Sequence, residues 1–257
     1  MRFPNIIQIV FLVLSLIVVH WLLKKLIILP DQENLKTLLM SSIKLSILLF
    51  SILILSKKGI IDKQNITVKK SSMFLYLISS IIALLIVFNP ILGSITYFKT
   101  EDVLKYADSI ISRPTDIFVF LNLVIIVPIF EELFFRSIIF NGLKNNHTVV
   151  LALLISSLLF GFFHIDYLGS TVFGLWLGWV YLKTNNILLS IIAHSVCNLV
   201  TFLFRIIAQN SPEQHVFIYI GENRVIISVV MFLASGLLFY LFNKKFEFAK
   251  RPVTEQS

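Results

Sequence analysis

The chain predicts an all-α, polytopic integral membrane protein with about eight transmembrane helices. Three observations point there. Only 14% of its 257 residues are charged and 57% are hydrophobic, with a mean hydropathy of +0.90, whereas soluble domains average about a quarter charged residues. Apolar runs of about 18 residues or more, the length that crosses a bilayer as a helix, recur along the whole chain. These runs are too long and too continuous for the alternating strands of a barrel, which leaves helices as the only structure able to pair every backbone amide in lipid.

The elements follow in order. The first predicted span is 5–29. Its segment MRFPNIIQIVFLVLSLIVVHWLLKK begins like a signal peptide, but the apolar stretch is too long and no small-x-small cleavage site follows, so a retained first helix is expected. LPDQEN separates it from 37–56, SKKGIIDKQN separates that from 72–97, and FKTEDVLKYADSIISRPTD leads to 115–141. NGLKNNH, DYLG, KTNN and AQNSPEQH then bound spans at 147–165, 168–183, 186–207 and 224–243, before the tail NKKFEFAKR. Each break carries turn residues or charge. No repeat or low-complexity linker interrupts the chain, and a single domain is expected. Within it, 1–115 supplies N-terminal membrane helices, 116–207 a helical core, and 208–257 the last helix and a basic tail.

The net charge is +8 and the pI about 9.6. The lysines gather in short connections: Lys57, Lys58, Lys63, Lys69 and Lys70 in one, Lys244, Lys245, Lys250 and Arg251 in the tail. This pattern orients a membrane protein with its basic loops inside; it does not suit nucleic-acid binding. Both termini are therefore expected on the cytoplasmic side, although Lys24 and Lys25 run against that rule. The connection 98–114 mixes both signs and suits the outside. Cys197 is the only cysteine, so no internal disulfide forms; a lone thiol on an apolar helix reads as packing.

Polar residues inside the oil point to function. EELFFR at 131–136 places Glu131, Glu132 and Arg136 in an otherwise apolar run, where each charge costs about 2.5–3.5 kcal/mol or more. Glu132 and Arg136, four apart, share a face and neutralise each other. Glu131 points about 100° away and has no partner on its own helix. Pro128 removes a backbone donor just upstream, and a kink is expected there. Phe160 and His164 in FGFFH share a face, as do His194 and Asn198 in HSVCN. His and Asn also serve as interhelical hydrogen-bond glue. His20, His147 and His215 fall at span ends or in loops, and Asp166 reads as a cap or turn residue.

Taken together these groups fit hydrolysis. A Glu and a His can hold and deprotonate a water, while a second His and an Asn can donate to the oxyanion formed at an amide. A Glu with two His residues, here Glu131, His164 and His194, equally suits a zinc ion that lowers the pKa of that water.

The motifs Glu131-Glu132-LFF-Arg136, Phe160-GFF-His164 and His194-SVC-Asn198, in that order, resemble those of the CPBP family, the CAAX proteases and bacteriocin-processing enzymes also called Abi. The resemblance covers about 120–205. It implies that Glu131 activates the water with His164, that His194 and Asn198 stabilise the oxyanion, and that Glu132, Arg136 and Phe160 support the site. It implies either zinc or no cofactor. HExxH and the motifs of serine and aspartyl intramembrane proteases are not in the sequence.

The expected protein is thus an intramembrane endopeptidase of a bacterial plasma membrane. Its partners are membrane lipid and a membrane-associated peptide or protein substrate, in a setting of bacteriocin processing or self-immunity. A non-catalytic immunity or scaffold protein and a proton-coupled transporter are the competing readings; the absence of repeats weighs against transport. One geometric demand remains. At 1.5 Å per residue, Glu131 and His194 lie about 11–15 Å from the nearer ends of their spans, but His164 lies about 25 Å from the start of its own. Convergence requires a tilted fifth helix, a helix beginning outside the hydrocarbon, or a different boundary.

Overall fold

The computed structural model describes residues 6–26, 32–57, 78–80, 112–164 and 166–210, with single positions at 226, 230, 233 and 237. Among these residues there are helices and no strands. We number them α1 (Ile6–Leu26), α2 (Glu33–Lys57), α3 (Ile117–Lys144), α4 (Val149–Phe162), α5 (Tyr167–Thr184) and α6 (Ile187–Asn210). Among the described residues, three stretches are long and apolar enough to cross a membrane: Glu33–Ile54 in α2, the whole of α3, and Ile187–Ile207 in α6. Most of the predicted span 72–97, with Lys58, Lys63, Lys69 and Lys70 before it, lies outside the described residues, as does most of 224–243 and the tail.

Asp116 starts α3. Its side chain accepts the Val119 N–H at 2.9 Å, satisfying a donor that the first helical turn leaves unpaired. Its second oxygen accepts Asn34 Nδ2 at 2.6 Å. Asn34 is itself at the start of α2, so α2 and α3 begin side by side and run in the same direction.

Around Pro128, where the sequence predicts a kink, the winding of α3 is irregular. Residues Leu121–Ile126 and Leu133–Phe140 wind as wide π turns, with ordinary α-helix between them over Val127–Glu132. In the first wide turn the Val127 N–H bonds Asn122 O, five residues back. The same spacing would send the residue 128 N–H to Leu123 O, but proline has none. Asn198 Nδ2 on α6 donates to Leu123 O at 2.8 Å instead. The gap left by Pro128 is thereby filled from a neighbouring helix.

α3 and α4 form an antiparallel pair. Asn146 and His147 N–H groups bond Leu143 O at 2.9 and 2.8 Å, and Thr148 caps α4 through Leu151 N–H at 3.3 Å. α4 has 14 residues, about 21 Å, and ends at Phe162 rather than at 165 as the apolar run predicts. The chain turns at Phe163 and His164, and Asp166 caps α5 by accepting Gly169 N–H at 3.0 Å. One stripe of α4, Val150, Leu154, Leu158 and Phe162, faces outward.

Lipid tails give apolar helices no hydrophobic reason to associate, so close packing and polar contacts hold such bundles. α5 presents small residues where α4 approaches. A Cβ at Gly174 would meet the Phe160 ring at 3.3 Å, and one at Gly178 would collide with Leu153 Cδ1 and lie 3.6 Å from Arg136 Nη1. Asn185 ends α5 in the left-handed conformation, φ 48°, which Asn tolerates better than most residues. Asn186 then accepts Leu189 N–H at 3.3 Å, and Ser190 Oγ donates to Leu177 O at 3.2 Å, docking α6 against α5. The buried centre is aromatic: Phe134, Phe135, Phe140, Phe160, Phe173 and Trp176. Cys197 is buried in the same core.

Candidate active site

The four-residue spacing of Glu132 and Arg136 does what the sequence predicts: Arg136 Nε lies 3.1 Å from Glu132 Oε2, with both side chains fully buried. The network continues beyond the helix. Arg136 Nη1 donates to Ser156 Oγ at 3.3 Å, and that hydroxyl donates to Phe135 O at 3.0 Å. The guanidinium also covers the Phe160 ring, 5.5 Å from its centroid. The other Glu132 oxygen, Oε1, faces His194 Nδ1 at 3.2 Å. Glu132 therefore links α3 to α6 as well as pairing with Arg136.

Glu131, one residue earlier, faces a different way and meets two imidazoles. His164 Nε2 lies 3.8 Å from Oε1, and His194 Nε2 lies 3.7 Å from Oε2. Two helices, α3 and α6, and the turn after α4 thus bring together the three groups singled out in the sequence. The partners assign the tautomers. His164 Nδ1 is 2.7 Å from Phe160 O and His194 Nδ1 faces a carboxylate. Both partners only accept, so each Nδ1 carries a hydrogen. Each Nε2 is then the ring nitrogen that faces Glu131.

His164 reaches this depth without a longer helix. It sits on the turn just after α4, its ring folded back over Phe160 at 4.6 Å between centroids and 22° between planes. Counting from the α3–α4 turn at 1.5 Å per residue, Glu131 lies at about 20 Å and Phe160 at about 17 Å. A different helix boundary and a back-folded imidazole therefore meet the demand that the spacing raised. Phe173 packs edge-on to His194, 5.1 Å between centroids, and fixes the second imidazole.

Exposure separates the two carboxylates. The Glu131 side chain is 17% exposed and that of His164 32%, whereas Glu132 and Arg136 are at 0%. Only the Glu131–His164 side is open. Asn198 lies one turn beyond His194 on α6, with one N–H committed to Leu123 O; its carboxamide retains a second. The sequence reading missed two members of this neighbourhood. Ser156 completes the Arg136 network, and Lys44, on α2, is close enough for its charge to act on Glu131. An isolated lysine inside the apolar run 37–56 was the available signal.

Nδ1 anchoring of this kind also orients zinc-binding imidazoles. Among the described residues, however, no group of three His, Cys, Asp or Glu side chains is arranged to hold a metal ion.

Comparison with known proteins bears on the same segment. Residues 113–200 match the family described as type II CAAX prenyl endopeptidase Rce1-like. This is within the CPBP family that the motifs resemble, and the match takes in all three motifs. "Putative membrane peptidase YdiL" of Bacillus subtilis (strain 168) is 34% identical over 134 residues, 49% of this chain and 52% of that protein. "UPF0177 protein YxdF" of Lactococcus lactis subsp. lactis (strain IL1403) is 43% identical over 79 residues, 29% of this chain and 43% of that protein. The chain spans about half the length of the curated relatives it matches. No solved structure matches.

Proposed function

We propose that the chain is an intramembrane endopeptidase that hydrolyses a peptide bond in a membrane-associated peptide or protein. One observation carries the reading: a partly open carboxylate, Glu131, stands between two imidazole Nε2 atoms, one from the turn after α4 and one from α6. With His164 neutral and hydrogen on its Nδ1, Glu131 and His164 Nε2 are two acceptors 3.8 Å apart, and a water that donates to both meets their need. It donates one hydrogen to Glu131 and one to His164 Nε2, leaving an oxygen lone pair free to attack.

Attack forms the oxygen–carbon bond and shifts the carbonyl pair onto oxygen, while Glu131 takes the water proton as general base. The oxyanion is assigned to His194 and to the remaining Asn198 N–H. For that role His194 must also carry a proton on Nε2, and Glu132 opposite Nδ1 supplies the countercharge. Collapse breaks the carbon–nitrogen bond, and the proton held by Glu131 passes to the departing amine. Arg136, Ser156 and Phe160 keep Glu132 and both imidazoles in place. A setting of bacteriocin processing or self-immunity is proposed from the resemblance of the three motifs to the CPBP family.

The test is cleavage of a candidate peptide by the full chain in membranes. Glu131→Gln and His164→Ala are each expected to lower kcat by about 10²–10⁴-fold, with unchanged insertion and thermal unfolding. Wild-type rates in both variants would reject the roles assigned here. A non-catalytic binding protein is the second reading, favoured by the use of Asn198 as a backbone patch; it predicts that no peptide is cut and that partner binding survives Glu131→Gln.

A further inference from the structure

The turn that carries His164 leans on a glycine the mechanism does not use. Gly161 is buried and is the last residue but one of α4. Glycine weakens a helix relative to alanine, so its place there needs a reason. Left-handed backbone is not that reason: α4 ends without it, and Gly161 lies outside the left-handed region. The reason is space. A Cβ at Gly161 would overlap Thr171 Oγ1 and Tyr167 O and lie 2.9 Å from Thr171 N. Two of those three atoms are backbone of α5, which cannot swing aside as a flexible side chain can. Thr171 Oγ1 is itself held, donating to Tyr167 O at 2.7 Å. At this point α4 and α5 touch backbone to backbone.

His164 hangs from the same turn. Its N–H donates to Gly161 O at 2.9 Å, and its Nδ1 to Phe160 O at 2.7 Å. The Phe163 N–H joins Phe160 O at 3.3 Å. The far side of the turn is fixed as well. Asp166 caps α5 through Gly169 N–H, and its carboxylate fills the space where a Cβ at Gly169 would stand. On the α3 side, the Phe135 ring packs on Phe160 at 5.1 Å and on Phe163 at 6.3 Å. Forced away from α5, the last turn of α4 would carry both carbonyls with it, and the imidazole would shift relative to Glu131.

We propose that Gly161 is a positioning residue for His164: its missing side chain lets α4 close on α5 and so sets the imidazole 3.8 Å from Glu131. The proposal rests on the role proposed for His164 in hydrolysis. A displacement of about 1 Å in a reacting group can cost about 10²-fold in rate, so one methyl at residue 161 is enough to be felt in the reaction.

The test compares the full chain in membranes with Gly161→Ala. In that variant kcat should fall about 10²-fold, with KM little changed. In a His164→Ala background the same substitution should lower kcat no further, since a residue acting through another couples to it; a general loosening of the fold would lower kcat in both. Thr171→Ala removes the side-chain overlap but not the two backbone ones, and should restore part of the rate to Gly161→Ala. A second readout needs no cleavage. Carbethoxylation of His164 by diethyl pyrocarbonate, followed by peptide mass spectrometry, should quicken severalfold in Gly161→Ala, with His147 on the α3–α4 turn unchanged as the internal control. This measurement decides the positioning even where the chain cuts no peptide, an outcome that would reject hydrolysis alone. If Gly161→Ala fails to fold, Thr171→Leu, which presses on Gly161 from α5, carries both measurements. Wild-type kcat in Gly161→Ala, equal losses in the two backgrounds, or an unchanged rate of His164 modification overturns the proposal.

Discussion

Removing the Glu132 charge tests the whole support of the site. Glu132→Gln keeps an oxygen for His194 Nδ1 but leaves Arg136 as a fully buried cation without its carboxylate. At the 3.1 Å separation of the pair, an effective dielectric near 20 gives an interaction of about 5 kcal/mol. Breaking a buried pair by removing one partner destabilises by about 3–5 kcal/mol, and the two figures agree. Arg136→Met should cost a similar amount by stranding Glu132. The double variant Glu132→Gln, Arg136→Met strands neither charge, so it should lose far less than the sum of the singles. A coupling of about 2–4 kcal/mol is expected, read from reversible unfolding of the full chain in mixed micelles as a double-mutant cycle. Peptide cleavage should fall in the double variant as well, because His194 then lacks its countercharge. Coupling under about 0.5 kcal/mol, the level of independent sites, would show that the pair does not hold the site and would refute this account.

Three further outcomes follow from single contacts. Asn198→Ala should lower stability by about 1–3 kcal/mol, the cost of an unsatisfied buried carbonyl; in a Pro128→Ala background the cost should shrink, because residue 128 then donates to α3 itself, and equal costs in both backgrounds would disprove the patch. Asp116→Ala should lose about 1 kcal/mol of helix-start stability, measured by thermal unfolding. The Val119 N–H and the Asn34 side chain hold the Asp116 carboxyl below the usual carboxylate range. Its contribution is therefore complete above the unfolded value near 3.9 and fades as pH falls through the lower folded value, so the wild-type advantage over Asp116→Ala should vanish in strong acid and persist at neutral pH. Chelator treatment should leave cleavage unchanged if water is activated by Glu131 and His164 alone; abolition reversed by added zinc would replace that step with a metal-dependent one.

Much of the site was legible because its signals are local. Run length predicts helices, and charge within a run marks Glu131, Glu132 and Arg136. Four-residue spacing places Arg136 on Glu132 and the Phe160 ring beneath His164, both as observed. What was not legible depends on contacts between helices. The Leu123 carbonyl that Pro128 cannot serve, in the first wide turn of α3, is met by Asn198 from 75 residues away. The bond from His194 Nδ1 to Glu132 spans 62 residues, and no short motif reports which carboxylate oxygen an imidazole will choose. The depth of His164 was not legible because residue counting follows the backbone, while the ring folds back along it.

The brevity of α4 bears on access to the site. At about 21 Å it is shorter than an average hydrocarbon layer of about 30 Å, yet its outer stripe is apolar. A bilayer accommodates a short apolar element by thinning around it. Head groups and their hydration are then drawn inward on the flank where α4 turns into α5. His164 sits on that turn, so a dimple in the lipid would bring solvent to Glu131 without any tunnel through the protein.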